Sequence, residues 1–273
     1  MVIPPLRPRV IPHGRHSPAQ AYLYHKIQSV SRQRSDRILR QARLSAAQTA
    51  ELALARQKLD LARIVVNLNL HERIAGRPII DSLVDTGRIY NLFEIAQAAI
   101  GYNPSVLRLR IMLEFKLYGA TSDLQDVLAG MSNVEHPNYG LFDYLAQPVG
   151  YSLVGFYGWY RFVLKSEVKR RSTFSPMDTK YTNADQTLVW NGIDGILATK
   201  IGGRYWFEYV NDGTIPLSVQ GNVSYIESQI LGGVWMDNDV EALYYPQTDE
   251  LNKPFFRKLE QLESMYNVQL ISY

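Results

Sequence analysis

Cysteine is missing from all 273 residues. Its absence removes a disulfide framework and every thiolate metal site, and it suits a chain that works in, or passes unfolded into, a reducing compartment. Long hydrophobic runs are missing as well. Stretches such as Ile64-Val65-Val66 and Leu153-Val154-Gly155-Phe156 fall far short of the roughly 20 residues that a membrane-spanning helix needs, so no membrane span is expected. Glycine is present in no phosphate-binding arrangement: Gly192, Gly195, Gly202 and Gly203 are read as turn residues without the spacing of the dinucleotide or nucleoside-triphosphate loops. The five histidines are dispersed, with no pair three or four apart on a helix, which argues against a zinc site. A Gly-x-Ser-x-Gly nucleophile elbow is absent too.

The charge that is present is unevenly spread. Residues 1–63 hold 12 Lys or Arg against 3 Asp or Glu, while the whole chain carries only +3. This basic segment suits nucleic acid, an anionic membrane or an acidic protein face, and equally a solvated Arg-rich helix. The sequence divides into three expected units. Residues 1–18 contain Pro and Arg but no apolar centre like that of a signal peptide, and read as a disordered tail. Residues 19–61 read as a basic helical segment, with Ala21, Leu23, Ile27, Val30, Ile38, Leu39 and Leu44 at helical spacing and a second helix starting at Ser45. Residues 62–273 form the main domain.

That domain opens with Arg63–Leu70, β-branched and alternating, the pattern of a strand. A short helix is expected over Ile79–Val84, and a turn at Asp85-Thr86-Gly87. Residues 105–118 are apolar and basic in a way that fits helix or strand. Further strands are read at Tyr160–Leu164, Tyr205–Val210 and around Glu227, then a helix over Phe255–Tyr266 and a last strand over Val268–Ile271. Scattered strands with few helices between them indicate an α+β fold. Trp190, Trp206 and Trp235 are expected in the core.

The most informative stretch is Tyr225-Ile226-Glu227-Ser228-Gln229. Strand alternation puts Tyr225, Glu227 and Gln229 on one face, so an acid and an amide project side by side from a rigid element. Other blocks accompany it in a fixed order: Leu44-Ser45-Ala46-Ala47-Gln48; Ile64–Asn69 with Glu72-Arg73; Asp85–Glu94; His136-Pro137-Asn138-Tyr139-Gly140; Phe162–Lys165 with Ser172–Thr179; and Asp239-Val240-Glu241-Ala242-Leu243. In this order, over roughly residues 44–273, they resemble a bacterial family similar to the CteC-like group of PARP-related mono-ADP-ribosyltransferases.

The resemblance implies a split β-sheet fold that holds NAD in a cleft, with a catalytic Asp-Glu pair whose Glu sits on a strand. It implies transfer of ADP-ribose to a hydroxyl side chain, threonine first, of a host protein, with ubiquitin the leading acceptor and host ubiquitination blocked as the result. Glu227 matches the catalytic Glu and Asp178 the Asp, although Met177-Asp178-Thr179 stands where relatives show Gly-Asp-Ser, and Asp85 is an alternative. Arg73 is expected to pair the pyrophosphate, Tyr139 beside Gly140 to stack on nicotinamide, and Asn67, Asn69 and Gln229 to line the nucleotide site. Glu94–Gln97 departs from the family's Thr- and Gly-rich turn. The expected protein is a monomeric bacterial effector delivered to a host cytosol, with no metal and no nucleic-acid partner. Two other readings stand beside it: a non-catalytic module of the same fold, and an NAD glycohydrolase in which water replaces the acceptor.

Overall fold

The computed structural model describes residues 15–74, 76–98, 104–119, 121–143, 158–201 and 225–273. Two capped helices come first. In α1 (Pro18–Ala42) the Ser17 hydroxyl accepts the Gln20 N–H at 3.2 Å, and the Gln20 side chain accepts the Ser17 N–H at 2.9 Å. Ser45 and Gln48 repeat this box at α2 (Ala46–Leu61), so donors that a helix start leaves open are satisfied reciprocally. Residues 1–14 of the expected tail lie outside the described residues, whereas Ser17 and Pro18 belong to the start of α1.

Neither helix is an appendage. Leu23 and Ile27 of α1 and Leu59 of α2 are buried. The Val189 and Gly195 amides donate to Ser31 and Ser35 of α1, each at 3.0 Å. Part of the amino-terminal positive charge is met within the chain: Arg37 pairs with Asp185 at 3.3 Å, and Arg56 with Asp194 at 3.1 Å.

Next come β1 (Arg63–Leu68), the small hairpin β2 (Arg73–Ile74) and β3 (Arg77–Pro78), α3 (Ile79–Thr86), β4 (Arg88–Ile89), α4 (Leu92–Ala98), α5 (Pro104–Tyr118) and α6 (Ser122–Gly130). They are followed by β5 (Asn138–Asp143), β6 (Tyr160–Leu164), β7 (Ser172–Ser175), β8 (Leu188–Val189) and α7 (Ile193–Lys200). The last elements are β9 (Glu227–Ile230), β10 (Val234–Trp235), α8 (Met236–Asp239), β11 (Val240–Tyr245), α9 (Lys253–Tyr266) and β12 (Gln269–Ser272). The architecture is α+β. Among the described residues no helix is long and apolar enough to cross a membrane.

Eight strands join in the order β12-β11-β6-β1-β5-β9-β7-β8, and only the β11–β12 pair is parallel. Strand β9 sits inside this ladder, pairing with β5 through Glu227–Ile230 on one side and with β7 through the same residues on the other, while β10 pairs with β4 in a separate two-stranded sheet. Alternation gives the larger sheet two unlike faces. Ile64, Val66, Phe142, Phe162, Phe174 and Ile230 point into one core under α2, α3, α7 and α9. Phe142 and Phe174 stack there at 5.3 Å, with the Trp190 ring 5.9 Å from Phe142. Val65, Leu141, Val163 and Ala242 point to the other face.

Residues 105–118, which fit either type of element, are the helix α5. Its buried stripe is Leu107, Glu114, Leu117 and Tyr118, and the carboxylate in that stripe hides the helical period from a hydrophobicity reading. Tyr205–Val210, including Trp206, lies outside the described residues. Trp190 and Trp235 are half-buried.

Candidate functional site

A cleft opens on the second face of the sheet. It is lined by Val65–Leu68 of β1, Asn138–Leu141 of β5, Tyr225 and Glu227, together with Tyr90–Leu92, Ile95 of α4 and Arg110 of α5. Its empty space is about 620 Å³, a figure that includes open solvent at its mouth. Three tyrosines, one carboxylate and one guanidinium face it among the described residues.

Glu227 begins β9 and is only 8% exposed. Its Oε2 accepts the Thr179 N–H at 2.9 Å, the Thr179 hydroxyl at shorter range, and the Gln229 amide at 3.0 Å. Its Oε1 has no bond to any described residue. One oxygen is therefore locked and the other is left for whatever enters the cleft. Burial raises the Glu227 carboxyl to about 7, the Thr179 hydroxyl opposes the rise, and the charge of Asp178 adds to it. A buried carboxylate costs free energy when charged, and hydrogen bonds to the ionised form recover part of that cost.

The lock has its own support. Gln229, fully buried, accepts the Thr173 hydroxyl at 3.0 Å and donates to Ser175 Oγ at 3.1 Å and to Glu227. Thr173 and Ser175 lie on β7, directly opposite Gln229 and Glu227 in the antiparallel register. The loop that leaves β7 is tied down by Ser175 donating to the Met177 carbonyl at 2.9 Å and Thr182 donating to the same carbonyl at 3.0 Å. That loop presents Thr179 to Glu227.

Elsewhere in the lining, Tyr139 is fixed from behind. Its hydroxyl donates at 3.0 Å to Glu114, which is fully buried and lies 2.7 Å from His136 Nδ1. The His136 ring stacks flat on Phe93 at 3.6 Å, and Asn91 donates to the His136 carbonyl at 2.9 Å. Tyr139 thus reaches the cleft on an oriented ring.

The residues singled out from the sequence separate into two groups. Glu227, Asn67, Tyr139 and Gly140 all line the cleft. Asn67 donates to the Gly158 carbonyl at 3.2 Å, and its buried Oδ1 has no partner among the described residues. Gly140 lacks a side chain for a packing reason: a Cβ there would lie 2.7 Å from the Val65 carbonyl oxygen, closer than strands allow.

Asp178, Gln229, Asn69 and Arg73 sit elsewhere. Asp178 is half-buried beside the cleft, accepting the Lys180 N–H at 2.7 Å and the Tyr225 hydroxyl at 3.3 Å. Gln229 holds Glu227 and does not reach the cleft. Asn69 does not share the β1 face with Asn67, because β1 ends at Leu68 and Asn69 turns the chain, accepting the His71 N–H at 3.2 Å. Arg73 is exposed in the β2–β3 hairpin and donates to the Gly76 carbonyl at 2.8 Å. Asp85, the alternative acid, pairs with Arg77 at 2.7 Å on the surface. Glu94 is half-buried in an ion pair with Arg88, and its carboxyl is raised by the desolvation there.

Thr179, Arg110 and Glu114 were missed by sequence reasoning. Thr179 stands beside Asp178, and no local pattern marks it as a donor. Arg110 and Glu114 sat in the stretch whose period was ambiguous. Among the described residues no group of His, Asp and Glu could hold a metal ion. No protein-family model matches this chain, and no curated protein matches it.

Proposed function

We propose that this chain is an NAD-dependent mono-ADP-ribosyltransferase with an ADP-ribosyltransferase type of core, and that Glu227 is its catalytic carboxylate. The observation that carries the reading is the half-locked Glu227: one oxygen bound three times over, the other without a partner, in a cleft with tyrosine rings on its walls. Breaking the nicotinamide–ribose bond sends its electron pair to nicotinamide and leaves an oxocarbenium-like carbon. A carboxylate bonded to the ribose hydroxyls gains interaction as that positive charge develops. Glu227 supplies such a group through Oε1, and Tyr139 offers the nicotinamide ring a stacking surface.

The acceptor is a side-chain hydroxyl, threonine foremost, on a host protein, with ubiquitin the leading candidate. Its oxygen forms the new bond to the ribosyl carbon, and its proton must go to a base. Asp178 fits that role. It is half-buried beside the cleft instead of within it, where an incoming protein would bring its hydroxyl, and proton transfer of this kind is worth roughly 10²–10⁴-fold. Two neighbouring carboxylates in unlike surroundings are a recurrent way to divide such tasks.

The test is intact mass measurement of ubiquitin after incubation with the protein and NAD, beside Glu227→Gln and a nicotinamide assay without ubiquitin. One added ADP-ribose that requires Glu227 supports the whole reading. Nicotinamide release that is indifferent to any protein identifies a glycohydrolase, and neither signal turns the reading to a non-catalytic binding module.

A further inference from the structure

Arg73, the arginine first matched to phosphate, lies outside the cleft, yet an arginine stands inside it. Arg110 lines the cleft from α5, one turn before Glu114, so the two share a helix face. Its guanidinium lies over the Tyr139 ring, 5.9 Å from the ring centre. That ring is the one whose hydroxyl is held by Glu114, so the whole arrangement is anchored through buried Glu114 and His136.

Other arginines around the sheet are committed. Arg88 pairs with Glu94, Arg161 with Asp143 at 2.7 Å, and Arg171 with Asp239 at 2.7 Å. Arg110 makes no ion pair and donates no hydrogen bond among the described residues. It is also the one cation among the described residues that line the cleft, as Glu227 is the one carboxylate. A guanidinium with its N–H donors free, set over an aromatic face, is arranged for a planar or tetrahedral anion. The lining therefore carries one group that favours positive charge, Glu227, and one that favours negative charge, Arg110, which suits a ligand with a cationic heterocycle on ribose and a phosphate beyond it.

We infer that Arg110 reads the phosphate of the cleft's ligand, so that the site accepts phosphorylated ribosides and discriminates against the bare riboside. For NAD the group read is the pyrophosphate, and this part rests on the proposed transferase reading. Charge-assisted hydrogen bonds of this type correspond to about 10- to 100-fold in affinity.

The experiment uses the full chain with Arg110→Gln and Arg110→Lys, after thermal melts establish that each variant is folded. Two quantities are read: the ratio of kcat/KM for NAD to that for nicotinamide riboside, and calorimetric binding of inorganic pyrophosphate. The expected result is that Arg110→Gln lowers the ratio at least tenfold through KM and weakens pyrophosphate by a similar factor, with Arg110→Lys between it and the wild type. Equal losses on NAD and nicotinamide riboside, or pyrophosphate affinity unchanged in Arg110→Gln, overturn the inference while leaving the NAD reading in place. A wild-type protein that cleaves neither substrate but binds pyrophosphate through Arg110 discards the NAD reading and keeps the inference. A wild-type protein that binds no pyrophosphate overturns it.

Discussion

Ile64, Val66, Phe142, Phe174 and Ile230 face one side of the sheet, and their chain neighbours Val65, Asn67, Leu141, Thr173 and Gln229 face the other. The first side buries apolar area against four helices, and the buried Lys169 ammonium set over the Phe142 and Trp190 rings is held there by the Leu59 carbonyl. The second side contains Thr173, Ser175, Gln229 and Glu227 bonded in series, and further along it the Arg161–Asp143 pair and Arg63 bonded to Glu241 at 3.0 Å. Non-directional burial stabilises the first side. On the second, each polar group depends on the next, since a buried donor or acceptor that loses its partner costs about 1–3 kcal/mol. One sheet thus separates the residues that hold the fold from those that hold a carboxylate in an unfavourable place.

The sharpest way to break that comparison is to cut into each side once. Phe142→Ala removes a fully buried ring that stacks on Phe174, and should cost about 3–5 kcal/mol in urea unfolding; a loss below about 1 kcal/mol would deny that this face is the main core. Glu227→Gln should do the reverse to stability. The Glu227 carboxyl rises from its ordinary 4.5 to about 7 in the folded chain. Its neutral form therefore supports folding fully below 4.5, and that support is lost as pH rises through about 7. At pH 9 the Gln variant should be more stable than the wild type by up to ~3 kcal/mol, with the gap closing toward pH 4. Its nicotinamide release should fall about 10²–10³-fold, and kcat/KM of the wild type should rise with pH through about 7. A Gln variant that is active, or less stable at every pH, would remove the functional claim for this face.

Much of the first side could be read in the chain, because apolar period and caps act locally. The helix start at Ser45, Tyr160–Leu164 and the helix up to Tyr266 lie where their residue patterns put them. The same alternation correctly aligned Glu227 with Gln229. The rest of the site depends on tertiary contacts that no local pattern carries. Glu114 sits at a helical position usually apolar and is buried only because His136, 22 residues away, and Tyr139 satisfy it. Thr179 meets Glu227 across 48 residues. Alternation says nothing about where a strand stops, and the turn at 69–72 ends β1 one residue before Asn69. The basic amino-terminal helices read as a separate segment since the chain does not reveal that Ser31 and Ser35 meet the Val189 and Gly195 amides.

Smaller changes sharpen the comparison. Thr179→Val removes the hydroxyl that holds the Glu227 carboxyl down while keeping the backbone N–H. The acid limb of the pH profile should move to higher pH, and stability should drop by about 1 kcal/mol. A limb that stays in place would mean that the measured group is not Glu227. The smallest effect belongs to Arg73→Ala. Arg73 is exposed, its one described bond goes to the nearby Gly76 carbonyl, and the cleft lies elsewhere. Stability should stay within about 0.5 kcal/mol, and KM for NAD should match the wild type. A tenfold rise in KM would mean that the nucleotide crosses from the cleft to the β2–β3 hairpin, and the binding surface would then extend past the end of β1, where Asn69 also lies.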